Sequence, residues 1–385
     1  MIVSPPFLFF LVWLSVIFLY MLGLSNVLQP LKAETIYLIV GSGVLLILGW
    51  LAARFWIDGL TLKRRFIDKE KYFDVFTCGI VRRRIKFVVV FWLFFTFLEI
   101  VIFKNLPLLS ALGVGPDMRY TEFGFRGLHG GLNALYFVSI IYFIGNFFFS
   151  RSKFSLVIFL LLLIWPFLLM QRMMIIAVFL QVVFFALIVN QQSLNFRGYF
   201  KYFIYFLLII LVFGYFGDFR SGREHILRLA DLTFTYPEWL PSAFAWVYLY
   251  VTTSLNNLNF SIEIFQDPFI FPVELLSRVL PSFARSYIFN VFNYEAEVEL
   301  VANAFNASTV FSSMIHDFGY VLTPFLFFIV GFILFLLVFK AYTSPQYLLF
   351  WIIFLYSIVI SVFSNHMFHL VFWFEALFGF YLFKR

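Results

Sequence analysis

An all-α integral membrane bundle, polytopic with about ten transmembrane helices, is the fold this sequence predicts. Three observations predict it. The chain is 63% hydrophobic and only 12% charged, which leaves too little polar surface for a soluble globule. Apolar runs close to the ~20 residues that cross a bilayer recur along its whole length. The links between them carry Lys and Arg in an order that one topology satisfies.

The runs cover 7–24, 36–56, 87–103, 130–149, 154–170, 173–189, 202–216, 320–339, 346–363 and 367–383. No basic residue precedes the first run and no convincing small-residue cleavage pattern follows it, so it is expected to stay as a span. The 57–86 loop holds Lys63, Arg64, Arg65, Lys69, Lys71, Arg82, Arg83, Arg84 and Lys86. Short and strongly basic, it is expected in the cytoplasm. Both termini then follow it inside, as do Arg151, Lys153, Arg197, Lys201 and Lys340. The long 217–310 segment falls outside. Within it, 243–265 is long enough to span but carries Thr252, Thr253, Asn256, Asn257, Asn259 and Glu263. A span there would invert every later loop, so an interfacial or re-entrant helix is expected. The whole chain, 1–385, reads as one transmembrane domain.

Several function classes drop out. Cys78 is alone, so neither a disulfide framework nor a cysteine metal site is available. No Walker A sequence, Rossmann glycine signature or HExxH is present, and the five histidines are scattered. No cofactor, metal or nucleic acid is expected. The net charge of +7 is loop asymmetry set against the lipid bilayer.

The chemistry-bearing candidates cluster toward the outer side. Gly214-Tyr-Phe-Gly-Asp-Phe-Arg-Ser-Gly-Arg223 ends one apolar run. Arg220 and Arg223 flank a Ser-Gly turn there, a natural phosphate clamp of guanidiniums and backbone N–H groups. Arginines at helix ends also serve as snorkelling anchors. Arg172 sits in the turn of a hairpin whose arms, at about 17 residues, reach roughly 25 Å. That is short of the ~30 Å hydrocarbon core, so the turn is expected to be recessed, where a charge implies function. Arg172, Arg220 and Arg223 are expected to converge as an anion clamp. Glu99 and Glu375 fall inside spans, to be paired with arginine or held neutral. Proton-coupled transport is the sharper reading of Glu375, but no Lys/His relay accompanies it.

Trp239, Trp246, Tyr248, Tyr250 and the amides Asn256 and Asn257 suit sugar rings and hydroxyls, and equally mark a membrane interface. His316, Asp317 and Asp218 are the general-base candidates. Asp317 reads equally well as a cap for the span that follows it.

The ordered set resembles the O-antigen polymerases of the oligosaccharide repeat unit polymerase group. It comprises Gln171-Arg172, Asp218-Phe-Arg220-Ser-Gly-Arg223, Tyr250-Val-Thr-Thr-Ser-Leu-Asn-Asn257, Asn306-Ala-Ser-Thr and His316-Asp-Phe-Gly319. The likeness covers roughly 154–339; before that only hydropathy agrees. An Arg-x10-Gly pattern of some relatives occurs at Arg119 and Gly130 but from none of Arg220, Arg223 and Arg228, and carries no weight.

The resemblance implies a bacterial inner membrane and a periplasmic 217–310 segment. It also implies a glycosyltransferase acting on undecaprenyl-diphosphate-linked oligosaccharide, with a chain-length regulator and a flippase as partners. Arg172, Arg220 and Arg223 would hold the diphosphate. Asn256, Asn257 and Trp246 would bind sugar, and Asp317, His316 or Asp218 would take the hydroxyl proton. An O-antigen ligase, and a flippase or transporter of lipid-linked oligosaccharide, are the alternatives.

Overall fold

The computed structural model describes residues 4–58, 66–190, 196–264, 271–292, 294, 300–301 and 305–384. Lys63, Arg64, Arg65 and Arg385 lie outside the described residues, as do the side chains of Arg197 and Arg220. Every extended element among the described residues is an α-helix. Five are long and apolar enough to cross a membrane: Ala33–Ile57, Gly79–Phe103, Leu128–Ser150, Arg172–Val189 and Val310–Ala341. Shorter apolar helices include Pro5–Met21, Lys153–Leu168, Pro345–Ile360 and Leu370–Leu382. The protein is therefore a membrane-embedded helical protein.

The Gly79–Phe103 helix shows why lipid is its solvent. Val81, Ile85, Val88, Trp92, Thr96 and Glu99 recur at helical spacing and are buried. The opposite face presents Phe87, Val90, Phe94, Phe97 and Val101, each more than half exposed. In water that second face would be polar.

The described chain packs as two units, each assembled from separate stretches. One comprises Met1–Leu62, Asn195–Leu336 and Ser357–His369; the other comprises Lys63–Leu194, Leu337–Tyr356 and Leu370–Arg385.

In the first unit the Ala243–Ile264 helix runs through the interior, with 251–259 buried without a break. An interfacial helix would leave one face open, whereas this stretch is enclosed on all sides, as a re-entrant helix can be. Polar residues survive there because each is satisfied. Thr252, Thr253, Ser254 and Ser261 donate to the carbonyl one turn back. Asn256 Oδ1 accepts from the Tyr20 hydroxyl at 2.7 Å and from Gln29 N at 2.9 Å. Asn259 Oδ1 accepts from Lys32 N and from the Thr35 hydroxyl. These partners all lie between the end of the Pro5–Met21 helix and the start of Ala33–Asp58. The buried helix is thus held at one end of its unit.

The Ala33–Asp58 and Val310–Ala341 helices touch backbone to backbone. Gly41 meets Pro324, Gly49 meets the Phe328 carbonyl and Gly331 meets the Leu46 carbonyl, so the two helices run in the same direction. Gly319, in the left-handed region at φ 68°, interrupts the second of them. An L side chain is strained there, which is the need for glycine at this position.

In the second unit Leu128–Ser150 is the central helix, buried along most of its length. Leu370–Leu382 lies against it in parallel, Gly130 near Val371 and Tyr142 near Phe383. Glu99 accepts from Phe125 N and pairs with His129 Nδ1 at 2.9 Å, tying down the segment before that helix.

Candidate functional site

The site is built around a six-residue helix, Val273–Arg278. A helix this short leaves most of its N–H groups without intrahelical partners. Asp317 supplies them from elsewhere in the chain. Its Oδ1 accepts from Glu274 N and its Oδ2 from Leu275 N, both at 3.0 Å. Asp317 is therefore a cap, although not of the helix it belongs to.

Glu274 is the hub. Its Oε1 accepts from Arg278 Nε at 3.1 Å and from Arg278 Nη2. Its Oε2 accepts from the Tyr294 hydroxyl at 3.0 Å. Burial, then the charges of Glu274 and Asp317, push the Tyr294 phenol well up. The Tyr294 ring stands edge-on to His316, with centroids 4.5 Å apart. On the Ser282–Val291 helix, Arg285 anchors its Nε on the Ser277 carbonyl at 3.2 Å. Burial and the neighbouring Arg278 pull its guanidinium down from its ordinary value. His366 and His369 stack with ring centroids 5.7 Å apart, both near Arg278 and the second also near Arg285. Burial, then the neighbouring His369 and Arg278, hold His366 down at about 3.

The charges can be counted among the described residues. Glu274 neutralises Arg278, and a helix N-terminus compensates Asp317. Arg285 is in no ion pair and keeps two terminal nitrogens beyond its anchor. It is a fixed cation suited to an anionic ligand, beside Arg278 and a carboxylate–phenol pair.

No family model matches this chain, and neither does any curated protein or solved structure. The site is therefore read from its own chemistry.

Of the residues expected from sequence, His316 and Asp317 belong to this cluster. Asp218 does other work: its Oδ1 accepts from Trp246 Nε1 at 2.9 Å and its Oδ2 from the Ser242 hydroxyl. That pins the Ala243–Ile264 helix to Phe196–Ser221, where Gly214 and Gly217 let Ala243 and Trp246 approach. Trp246, only 5% exposed, is packed into that junction.

Asn256 also donates to the Val27 carbonyl. Asn257 donates to the Phe305 and Ala307 carbonyls and accepts from Val301 N. These amides already hold backbone, so a sugar would have to displace it. Arg223 Nη2 donates to the carbonyls of Pro237, Glu238 and Leu240, the closest at 2.9 Å. Arg172 opens the Arg172–Val189 helix of the second unit, and the Arg220 side chain lies outside the described residues.

Glu274, Arg278, Arg285, Tyr294, His366 and His369 were not foreseen. A signal for two of them existed: Glu274 and Arg278 stand four apart, in the order that supports a short helix.

Two expected outcomes follow from this geometry. Asp317→Asn keeps one acceptor oxygen but turns an N–H₂ toward the second backbone N–H. Leaving that buried donor unmet should cost about 1–3 kcal/mol, seen as a lower melting temperature of the purified protein whatever its activity. The second outcome concerns acid. His366 stays neutral in the fold but charges in the unfolded chain below its pKa of about 6.5. Its contribution to stability is intact above that pH and is lost as pH falls toward about 3. The slope reaches about 1.4 kcal/mol per pH unit. Melting curves from pH 7.5 to 5 should fall accordingly, and His366→Phe should flatten them.

Proposed function

We propose that the protein is a membrane glycosyltransferase of the O-antigen polymerase kind. It would join undecaprenyl-diphosphate-linked oligosaccharide repeat units into O-antigen or capsule polysaccharide. The observation that carries the reading is Arg285, an anchored guanidinium with two uncommitted nitrogens beside Arg278, Glu274, Tyr294 and His316.

The chemistry asks for those parts. A bond forms between an acceptor hydroxyl oxygen and the anomeric carbon of the donor, and the bond from that carbon to the lipid diphosphate breaks. Negative charge grows on the leaving diphosphate, where a fixed arginine stabilises the transition state more than the ground state. The hydroxyl proton needs a base. Of the three candidates, Asp218 and Asp317 have both oxygens engaged, and His316 is assigned the role.

In this reading the protein makes about ten spans of a bacterial inner membrane. Both termini and the 57–86 loop are cytoplasmic, and the 217–310 segment faces the periplasm. A chain-length regulator and a flippase are its partners.

The test is the lipopolysaccharide ladder of a strain lacking the chromosomal copy. A single capped repeat unit, extended again when the chain is restored, is expected. Complete loss of repeat units would instead point to a ligase or a flippase.

A further inference from the structure

The interior of the second unit holds a carboxyl group that this chemistry does not use. Glu375 lies on the Leu370–Leu382 helix and Gln181 on Arg172–Val189, at 2% and 1% exposure. Gln181 Nε2 donates to Glu375 Oε2 at 3.1 Å. The other oxygen of each group, Glu375 Oε1 and Gln181 Oε1, is buried with no hydrogen-bond partner. Among the described residues Glu375 is in no ion pair. The titratable group that faces it is the Tyr356 phenol on the Leu348–Ile360 helix, itself buried.

Two acceptors without a donor between them are costly in an apolar interior, and an unpaired carboxylate costs more. One proton removes both difficulties. Placed on Glu375 Oε1, it is donated to Gln181 Oε1. The carboxyl and the amide then close a ring of two hydrogen bonds, and no buried charge remains.

We propose that Glu375 with Gln181 is a proton-binding site in the membrane-embedded interior, occupied at neutral pH by one proton that bridges the two side chains. The ligand is the proton itself. Ionisation would break one of the ring's two bonds and strand both oxygens again, so release requires water or a cation to reach the pair. The inference does not rest on glycosyl transfer.

Infrared spectroscopy of the purified protein at pH 7 tests it. A carboxylic-acid C=O band is expected in the wild type and should be absent in Glu375→Gln. That variant should fold, because an amide at 375 repeats the same donor and acceptor pattern toward Gln181. In Gln181→Leu the acid band should remain and move to higher frequency as its hydrogen bonds are lost. If Glu375→Gln removes a carboxylate band and leaves the acid bands intact, Glu375 is ionised and the proposal fails. Should that variant not accumulate, Gln181→Leu decides alone: acid bands unmoved from the wild type would overturn the proton site.

Discussion

Arg285→Lys is expected to lower polymer yield about ten- to a hundredfold at matched membrane abundance. Arginine does two things at once here: Nε holds the Ser277 carbonyl while the two terminal nitrogens stay available. A lysine ammonium keeps the charge but cannot hold that carbonyl and also present a planar fork to a phosphate. Losing one charge-assisted contact made in the transition state accounts for the range, at about 1.5–3 kcal/mol. Arg223→Lys is the informative control. Its guanidinium serves three backbone carbonyls between Pro237 and Leu240, and an ammonium has donors enough for carbonyls. Near-normal polymer is expected from it. Full polymer from Arg285→Lys together with a collapse in Arg223→Lys would return the anion site to the Gly214–Arg223 stretch.

The largest effect on folding is expected where two helices touch without side chains. A Cβ added at Gly49 would stand 1.9 Å from the Phe328 carbonyl oxygen, and one at Gly331 2.2 Å from that of Leu46. Both obstacles are backbone, so neither can swing aside; the helices themselves must separate. Separation loosens the Trp50–Phe335 and Trp56–Phe332 ring contacts, now 5.1 and 5.6 Å between centroids. Gly49→Ala and Gly331→Ala should each cost about 1–3 kcal/mol, by the ordinary penalty for overpacking. The double variant should accumulate poorly. Gly131→Ala serves as the control, since a Cβ there meets nothing within 4 Å. It should be neutral or slightly stabilising through helix propensity. Equal melting temperatures for Gly49→Ala and Gly131→Ala would mean the close approach is absent in the membrane.

Some local features are also legible in the sequence alone. The Gln171-Arg172 pair does mark a break: Met170, in the left-handed region, lies between the Ile164–Leu168 helix and the helix that starts at Arg172. The length of the polar 243–264 stretch marks it as a helix, but its burial is not visible in the sequence. Its amides looked ready for a ligand because their spacing says nothing about partners. Asn257 reaches Phe305, 48 residues away, and Asn256 reaches Tyr20, 236 residues away. For the same reason the sequence shows that Asp317 suits a cap as well as a base, but not which helix it caps.

The sequence by itself determined that this is a membrane-embedded helical protein. That follows from counts, apolar run length and total charge, which no arrangement of neighbours can change. Only the tertiary structure decided which polar groups remain available for chemistry. Asp218 is consumed by the Ser242 and Trp246 side chains, and Arg223, Asn256 and Asn257 in holding backbone, whereas Arg285 keeps donors to spare and Glu375 and Gln181 each keep a bare oxygen. Spare hydrogen-bonding capacity is a property of a side chain and its partners together, and those partners come from distant parts of the chain.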